Sequence, residues 1–276
     1  MSHRILSIVT LSAIFLIHGS DSDAFAERLF GTVPNADQLL EIDKSTGITT
    51  PVGPHFGYEI QGLAFSNSGV LFGSVFEQEK LVTVNQSTGA VTEVGALGFG
   101  HVSGLAFDSN GTLFGIDFVA DQLLRIDTAT GAATAIAPLS PVAPNRVAAS
   151  IGGLAFDSND TLFGSYYDTF TDSTNTDLLV TINTTTGEVA PIGSHGFGNI
   201  QGLSFDSSGT LFGVDSTSLR LVTIDTTTGV GTGVGAFGSL GTGGIRGLAF
   251  GPVPEPTTCT LALTALCLAM SRRRAF

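Results

Sequence analysis

The chain has 276 residues, 42% of them hydrophobic and 13% charged, enough apolar content to bury a core and too much for a disordered segment. The charged share is about half the usual one, and 36 glycines beside many Ser and Thr describe strands and turns, not long charged helices. Residues 27–254 carry 21 acidic and 7 basic side chains, a net charge of −14, which repels a phosphate backbone and argues against nucleic acid as a partner.

At the N-terminus, His3-Arg4 precede an apolar run over residues 5–17, then polar residues and Ala24-Phe25-Ala26. This is the order of a signal peptide with an Ala-x-Ala cleavage site, and the run is too short to span a bilayer as a helix. Residues 1–26 are therefore expected to be an export signal.

Three motifs then recur in fixed order. Gly-Leu-Ala/Ser-Phe begins at Gly62, Gly104, Gly153, Gly202 and Gly247; Leu-Phe-Gly begins at Leu29, Leu71, Leu113, Leu162 and Leu211. A Val/Ile-Asp/Asn-x-x-Thr-Gly turn ends at Gly47, Gly89, Gly131, Gly187 and Gly229. Successive Gly-Leu motifs lie 42, 49, 49 and 45 residues apart, the period of a four-stranded propeller blade. Each unit parses into strands A to D: in the third full copy these are residues 153–156, 161–164, 178–182 and 188–192. Asp-Ser-x-Gly and Asp-x-x-Thr-Gly read as the A–B and C–D hairpin turns, and turn chemistry accounts for them without calcium. The repeats start with B, C and D and end on a lone A at residues 247–250, so one blade is completed by both ends of the domain. The expected fold is all-β, a five-bladed β-propeller over residues 27–252. An open β-solenoid, the alternative repeat architecture, has no use for that returning strand.

In four-stranded blades the tight A–B and C–D turns share one face, and the D–A and B–C loops share the other. Irregular insertions at residues 138–150, 166–177 and 236–246 all fall on the second face. Aligned on Gly-Leu, the preceding residue is Gln61, Ser103, Gly152, Gln201 and Arg246 around the ring, and two positions earlier come Glu59, His101, Ser150, Asn199 and Gly244. They differ where the scaffold repeats, as an asymmetric ligand requires. Glu59, Gln61, His101, Gln201 and Arg246 are the candidate ligand-binding residues at the channel mouth. Asp117 and Asp215 read either as further mouth carboxylates or as turn caps. Phe56, Phe99, Phe197 and Phe237, beside glycines in the D–A loops, read either as an exposed sugar-stacking set or as buried plugs. No nucleophile-elbow, zinc-protease or P-loop pattern occurs. No catalytic residue, metal or cofactor is assigned.

The C-terminus runs Val253-Pro254-Glu255-Pro256, an apolar stretch over residues 257–271, then Arg272-Arg273-Arg274. Both cysteines, Cys259 and Cys267, lie in it, leaving the repeat region none. This order resembles the PEP-CTERM sorting signal, which implies an exosortase-type processing partner, transient residence of residues 257–271 in the inner membrane and cleavage near the Pro-Glu-Pro motif. Residues 253–276 are thus expected to be a sorting tail. The repeat phrase itself resembles NHL-type propeller repeats, a resemblance of scaffold that includes lactonases, other hydrolases and binding modules. The expected function is a cell-surface or extracellular-matrix binding module for a carbohydrate, matrix polymer or protein. The alternatives are a lactonase-like metal-dependent hydrolase using Glu59, His101 or Asp117, and a purely structural matrix protein.

Overall fold

Leu-Phe-Gly places large apolar side chains on opposite sides of one strand, an arrangement that needs cover on both faces. In the computed structural model both faces are covered: all five Leu and all five Phe of the motif are buried, from Leu29 and Phe30 to Leu211 and Phe212. The structure describes residues 27–33, 36–54, 57–140, 150–167, 177–238 and 244–251. The expected export signal and sorting tail lie outside them, as do most of the three irregular insertions. Among the described residues no helix is long and apolar enough to cross a membrane.

The described residues form twenty strands. The chain enters with β1 (Arg28–Val33), β2 (Gln38–Ile42) and β3 (Thr49–Val52). Blade 2 is β4 (Ile60–Phe65), β5 (Leu71–Val75), β6 (Lys80–Val84) and β7 (Val91–Ala96). Blade 3 is β8 (Val102–Phe107), β9 (Leu113–Asp117), β10 (Gln122–Ile126) and β11 (Ala133–Pro138). Blade 4 is β12 (Ser150–Phe156), β13 (Leu162–Tyr167), β14 (Leu178–Ile182) and β15 (Val189–Ser194). Blade 5 is β16 (Ile200–Phe205), β17 (Leu211–Asp215), β18 (Arg220–Ile224) and β19 (Gly231–Ala236). The last strand, β20 (Leu248–Gly251), returns to the first sheet, whose order is β20-β1-β2-β3. Its register, Leu29 opposite Phe250 and Gly31 opposite Leu248, makes it the missing inner strand of blade 1. The five-bladed propeller is therefore closed by the two ends of the domain, and the solenoid alternative falls. Strands A, B and D extend up to three residues beyond the expected limits, because ladder bonds continue through the less regular ends of each unit.

Three repeated contacts hold blade to blade. Each Leu-Phe-Gly phenylalanine meets the Gly-Leu-Ala-Phe phenylalanine of the next blade, from Phe72–Phe107 at 5.6 Å to Phe212–Phe250 at 5.2 Å, which crosses the closure. Tilted pairs at such separations add about 0.5–1.5 kcal/mol each beyond their burial. Buried hydroxyls add polar links: Thr32 Oγ1 donates to the Ile60 carbonyl at 2.9 Å, and Ser165 Oγ donates to the Ile200 carbonyl. Finally, each C–D turn seats against the outer strand of the preceding blade. At the junction of blades 5 and 1, a Cβ on Gly235 would stand 1.8 Å from the Thr46 carbonyl oxygen, and Gly47 has φ of +76°.

Gly235→Ala must therefore push two blades apart. Overpacking of this kind costs about 1–3 kcal/mol, or a few degrees in Tm per kcal/mol for a domain of this size. Gly100→Ala, whose Cβ would meet only the end of Glu79 at 3.8 Å, is the control. Thermal melts of the two variants should separate by several degrees.

Candidate functional site

The inner strands approach each other at the Gly-Leu motif: a Cβ on Gly202 would lie 2.4 Å from the Arg246 carbonyl oxygen of blade 1. Just before that glycine the A–B ladders slip register, between Ile60 and Gly62, Ser103 and Leu105, Ile151 and Leu154, and Ile200 and Gly202. Such a bulge re-aims the side chain it carries. In blades 2 and 5 the extra residue is Gln61 and Gln201; at the axis they meet Ser103 and, from blade 1, Arg246.

They line a mouth cavity of about 260 Å³, together with His101. Three aromatic rings complete it, Phe76, Phe118 and Tyr167. His101 stacks on Phe76 with ring centres 3.9 Å apart, and Phe118 faces Tyr167 at 6.1 Å with planes 20° apart. The aromatic arc thus belongs to blades 2 to 4, and the amide and guanidinium arc to blades 5, 1 and 2. Below, Leu63, Leu105, Leu154, Leu203 and Leu248 converge on the axis around a small cavity of about 10 Å³.

Four of the five residues expected at the mouth, Gln61, His101, Gln201 and Arg246, line this cavity. Glu59 stands one step behind: it accepts from Gln61 Nε2 at 2.7 Å, and Gln61 Oε1 in turn accepts from the Arg246 guanidinium at 3.1 Å. The Gln201 amide likewise donates to Asn199 Oδ1. Glu59 and His101 share no hydrogen bond: Glu59 is held by Gln61, and His101 stacks on Phe76.

Asp117 and Asp215 are turn caps, not mouth carboxylates. Asp117 Oδ1 accepts the Val119 and Ala120 amides at 3.0 and 3.2 Å, and Asp215 Oδ1 those of Thr217 and Ser218 at 2.9 and 3.1 Å. Both are buried, at a position that Val33, Val75 and Tyr166 fill in the other blades. Asp121, at the far end of the Asp117 turn, is held above the usual carboxylate range by desolvation and then by Asp117. Of the loop aromatics, Phe237 is buried and Phe99 and Phe197 pack on the cores between blades, so these three are plugs; Phe56 and the histidine beside it, His55, lie outside the described residues.

The opposite face holds a wider hollow of about 540 Å³, lined by Asp108, Asp157, Asp160 and Asp206. Its carboxylates already serve the fold. Asp108 Oδ1 accepts the Thr112 amide at 2.7 Å, Asp157 the Thr161 amide at 2.7 Å, and Asp206 the Thr210 amide at 2.9 Å. Asp160 takes both the amide and the hydroxyl of Ser109, the hydroxyl bond first holding it below its ordinary pKa. Every C–D Asx residue does the same: Asp43, Asn85, Asp127, Asn183 and Asp225 each cap two turn amides through Oδ1. Size favours this hollow, but a formed apolar pocket with a few convergent polar groups is the stronger signature of a ligand site, and the mouth has it.

A model of the family described as "Repeat of unknown function (DUF6923)" matches residues 20–169. No functionally curated protein matches the sequence. Among solved structures, a chain of a nidogen/laminin complex superposes on 82% of this chain and 98% of its own length, with 12% identity and a TM-score of 0.56. A Bacteroides thetaiotaomicron protein of unknown function gives 18% identity and a TM-score of 0.52 over 75% of this chain, which spans 57% of that one. Virginiamycin B lyase from Staphylococcus aureus, at 16% identity over 83% of this chain and 67% of its own, has a TM-score of only 0.44. At these identities the likeness is one of fold.

Proposed function

The chain belongs to the DUF6923 family of repeats of unknown function, and from that footing we propose that it is an exported propeller whose channel mouth binds a ligand without chemical conversion. The observation that carries this reading is the broken symmetry of one rim. Five equivalent blades present four aromatic or imidazole rings on one side of a cavity and Arg246 with two amides on the other. A purely structural ring has no use for that division, whereas a bound molecule with two unlike sides does.

Export rests on the two ends: the signal-peptide order of residues 1–26 and the resemblance of residues 253–276 to the PEP-CTERM signal. Together they send the propeller to the cell surface or extracellular matrix, with an exosortase-type enzyme as processing partner and a carbohydrate, matrix polymer or protein as the class of ligand to screen. In a host with an exosortase, intact-mass measurement of exported protein should show loss of residues 1–26 and of the tail near Pro254-Glu255-Pro256. Exported protein that retains Cys259 and Cys267 contradicts the sorting-signal reading.

A glycan and metabolite screen of the purified chain tests the mouth itself. Replacing Glu59, His101 and Arg246 together with Ala should abolish capture of any hit while moving stability little, because half-exposed loop substitutions usually cost under about 0.5 kcal/mol. The same change at Asp108, Asp157 and Asp206 should lower Tm and spare capture. A stoichiometric divalent ion that co-purifies and is needed for substrate turnover would instead favour the hydrolase reading.

A further inference from the structure

Resting on the mouth as the binding site, we propose that its ligand is a single six-membered ring bearing a carboxylate, the carboxylate on Arg246 and the ring face on the aromatic arc.

The cation comes first. Among the described residues, Arg28, Lys44 and Lys80 each sit in an ion pair, with Glu41, with Asp206 and Glu27, and with Glu93. Arg246 does not. Its partner is the neutral Gln61 amide oxygen, and the Gln61 nitrogen holds the Glu59 carboxylate away on its far side. This spacer orients the guanidinium without neutralising it, so most of its donors stay free in a chain whose net charge is −13. A half-buried guanidinium with a free fork is matched best by a carboxylate, which it can engage through two parallel bonds.

The opposite wall sets the shape. Phe118 and Tyr167 are near-parallel, and Phe76 is backed by His101. Such faces suit the flat side of an aromatic ring or the C–H face of a sugar ring. The volume sets the size: about 260 Å³ is below the ~300–1,000 Å³ of pockets that hold drug-sized ligands, so one ring with its substituent fits and a longer chain must continue outside. The shared chemistry has two sources, an acidic sugar residue at the end of a polymer or a free aromatic acid.

The test is calorimetric titration of the full chain with galacturonate and benzoate, and with their neutral counterparts galactose and benzamide. At least one acid should bind about tenfold or more tightly than its neutral counterpart, with an affinity that falls as salt is added. Whichever acid it is identifies the source. Arg246→Gln should bring acid and neutral probe to the same affinity, while Phe118→Ala should weaken both by a similar factor. Glu59→Gln removes the competing negative charge, so it should tighten the acid several-fold and leave the neutral probe unchanged, a gain that misfolding cannot produce.

The inference is overturned if neither acid binds at about 10 mM, if acid and neutral probe bind alike to the unaltered chain, or if Arg246→Gln keeps the preference. These results leave the mouth reading in place when Phe118→Ala still abolishes capture of some other ligand from the screen. If neither Phe118→Ala nor Arg246→Gln affects any ligand bound by the folded protein, the mouth reading itself fails.

Discussion

A chain ending at Arg246 is expected not to fold, whereas one ending at Gly251 melts like the whole protein. The difference is β20, the inner strand of blade 1. Without it Leu29, Phe30 and Gly31 lose their ladder partners, and the aromatic belt opens where Phe250 meets Phe212. Burying Leu248, Ala249 and Phe250 contributes several kcal/mol at about 25 cal/mol per Å². Their loss also wets the inner faces of blades 5 and 2, which pack on that strand from either side. The total is comparable with the ~5–15 kcal/mol that holds a domain together. Circular dichroism and thermal melting decide the matter, and a truncated chain with an unaltered cooperative melt would exclude closure through this strand.

Acidification should cost the propeller about 3 kcal/mol between pH 7 and pH 4 through His195 alone. In blades 2, 3 and 5 the residue after the outer strand donates its amide to a carbonyl at the start of strand C: Leu97 to Glu79, Leu139 to Asp121, Phe237 to Leu219. All three are buried and apolar. In blade 4 the same bond runs from His195 to the Asp177 carbonyl, so an imidazole occupies a hydrophobic seat with neither ring nitrogen in a good hydrogen bond. Desolvation lowers its pKa from 6.5 to about 4, offset only in part by the Phe197 backbone and the Asp215 carboxylate. Because the folded value lies below the unfolded one, the unfolded chain binds the extra proton between the two. Stability is therefore unaffected above about pH 6.5 and falls as the pH drops toward 4, at about 1.4 kcal/mol per unit.

His195→Leu should remove that slope and, by replacing unpartnered polar atoms with the residue used in two sister blades, raise stability at pH 7 by about 1–3 kcal/mol. Denaturant titrations of both proteins at pH 7 and 4.5 measure the difference directly. Carboxylates lose their own pairings in acid, but they do so equally in the two proteins. Identical pH slopes would show that His195 is not the group responsible.

The fold was legible because its determinants repeat. Five Leu-Phe-Gly strands, five Asx turns and a strand displaced to the end leave one closed arrangement. The mouth was legible in part. Alignment on Gly-Leu finds Gln61, His101, Gln201 and Arg246 because the residues before a converging inner strand must crowd the axis. It places Glu59 beside them without its spacer role, since nothing in a spacing tells whether a carboxylate faces the ligand or a neighbouring amide.

Phe76, Phe118 and Tyr167 escaped that alignment, although they share a position five residues after the first Leu of Leu-Phe-Gly. Aligned on that motif, the set reads Pro34, Phe76, Phe118, Tyr167 and Ser216, as variable as the mouth residues and mostly aromatic. Attention to Asp117 and Asp215, one residue earlier, leads instead to a buried turn cap. Burial decides which of two adjacent strand residues reaches the mouth, because successive side chains point to opposite faces. The seat of His195 is equally hidden from composition, which treats it as one more histidine available for chemistry.

Hydrogen exchange with and without the tightest ligand from the screen tests the central claim most directly, because it reports which rim is covered. The amides of residues 60–62, 101–103, 200–202 and 245–247 should gain protection, with the A–B turns at residues 108–112, 157–161 and 206–210 unchanged. Protection confined to those turns, with the mouth amides exchanging as in the free protein, would place the site on the other face and contradict the account.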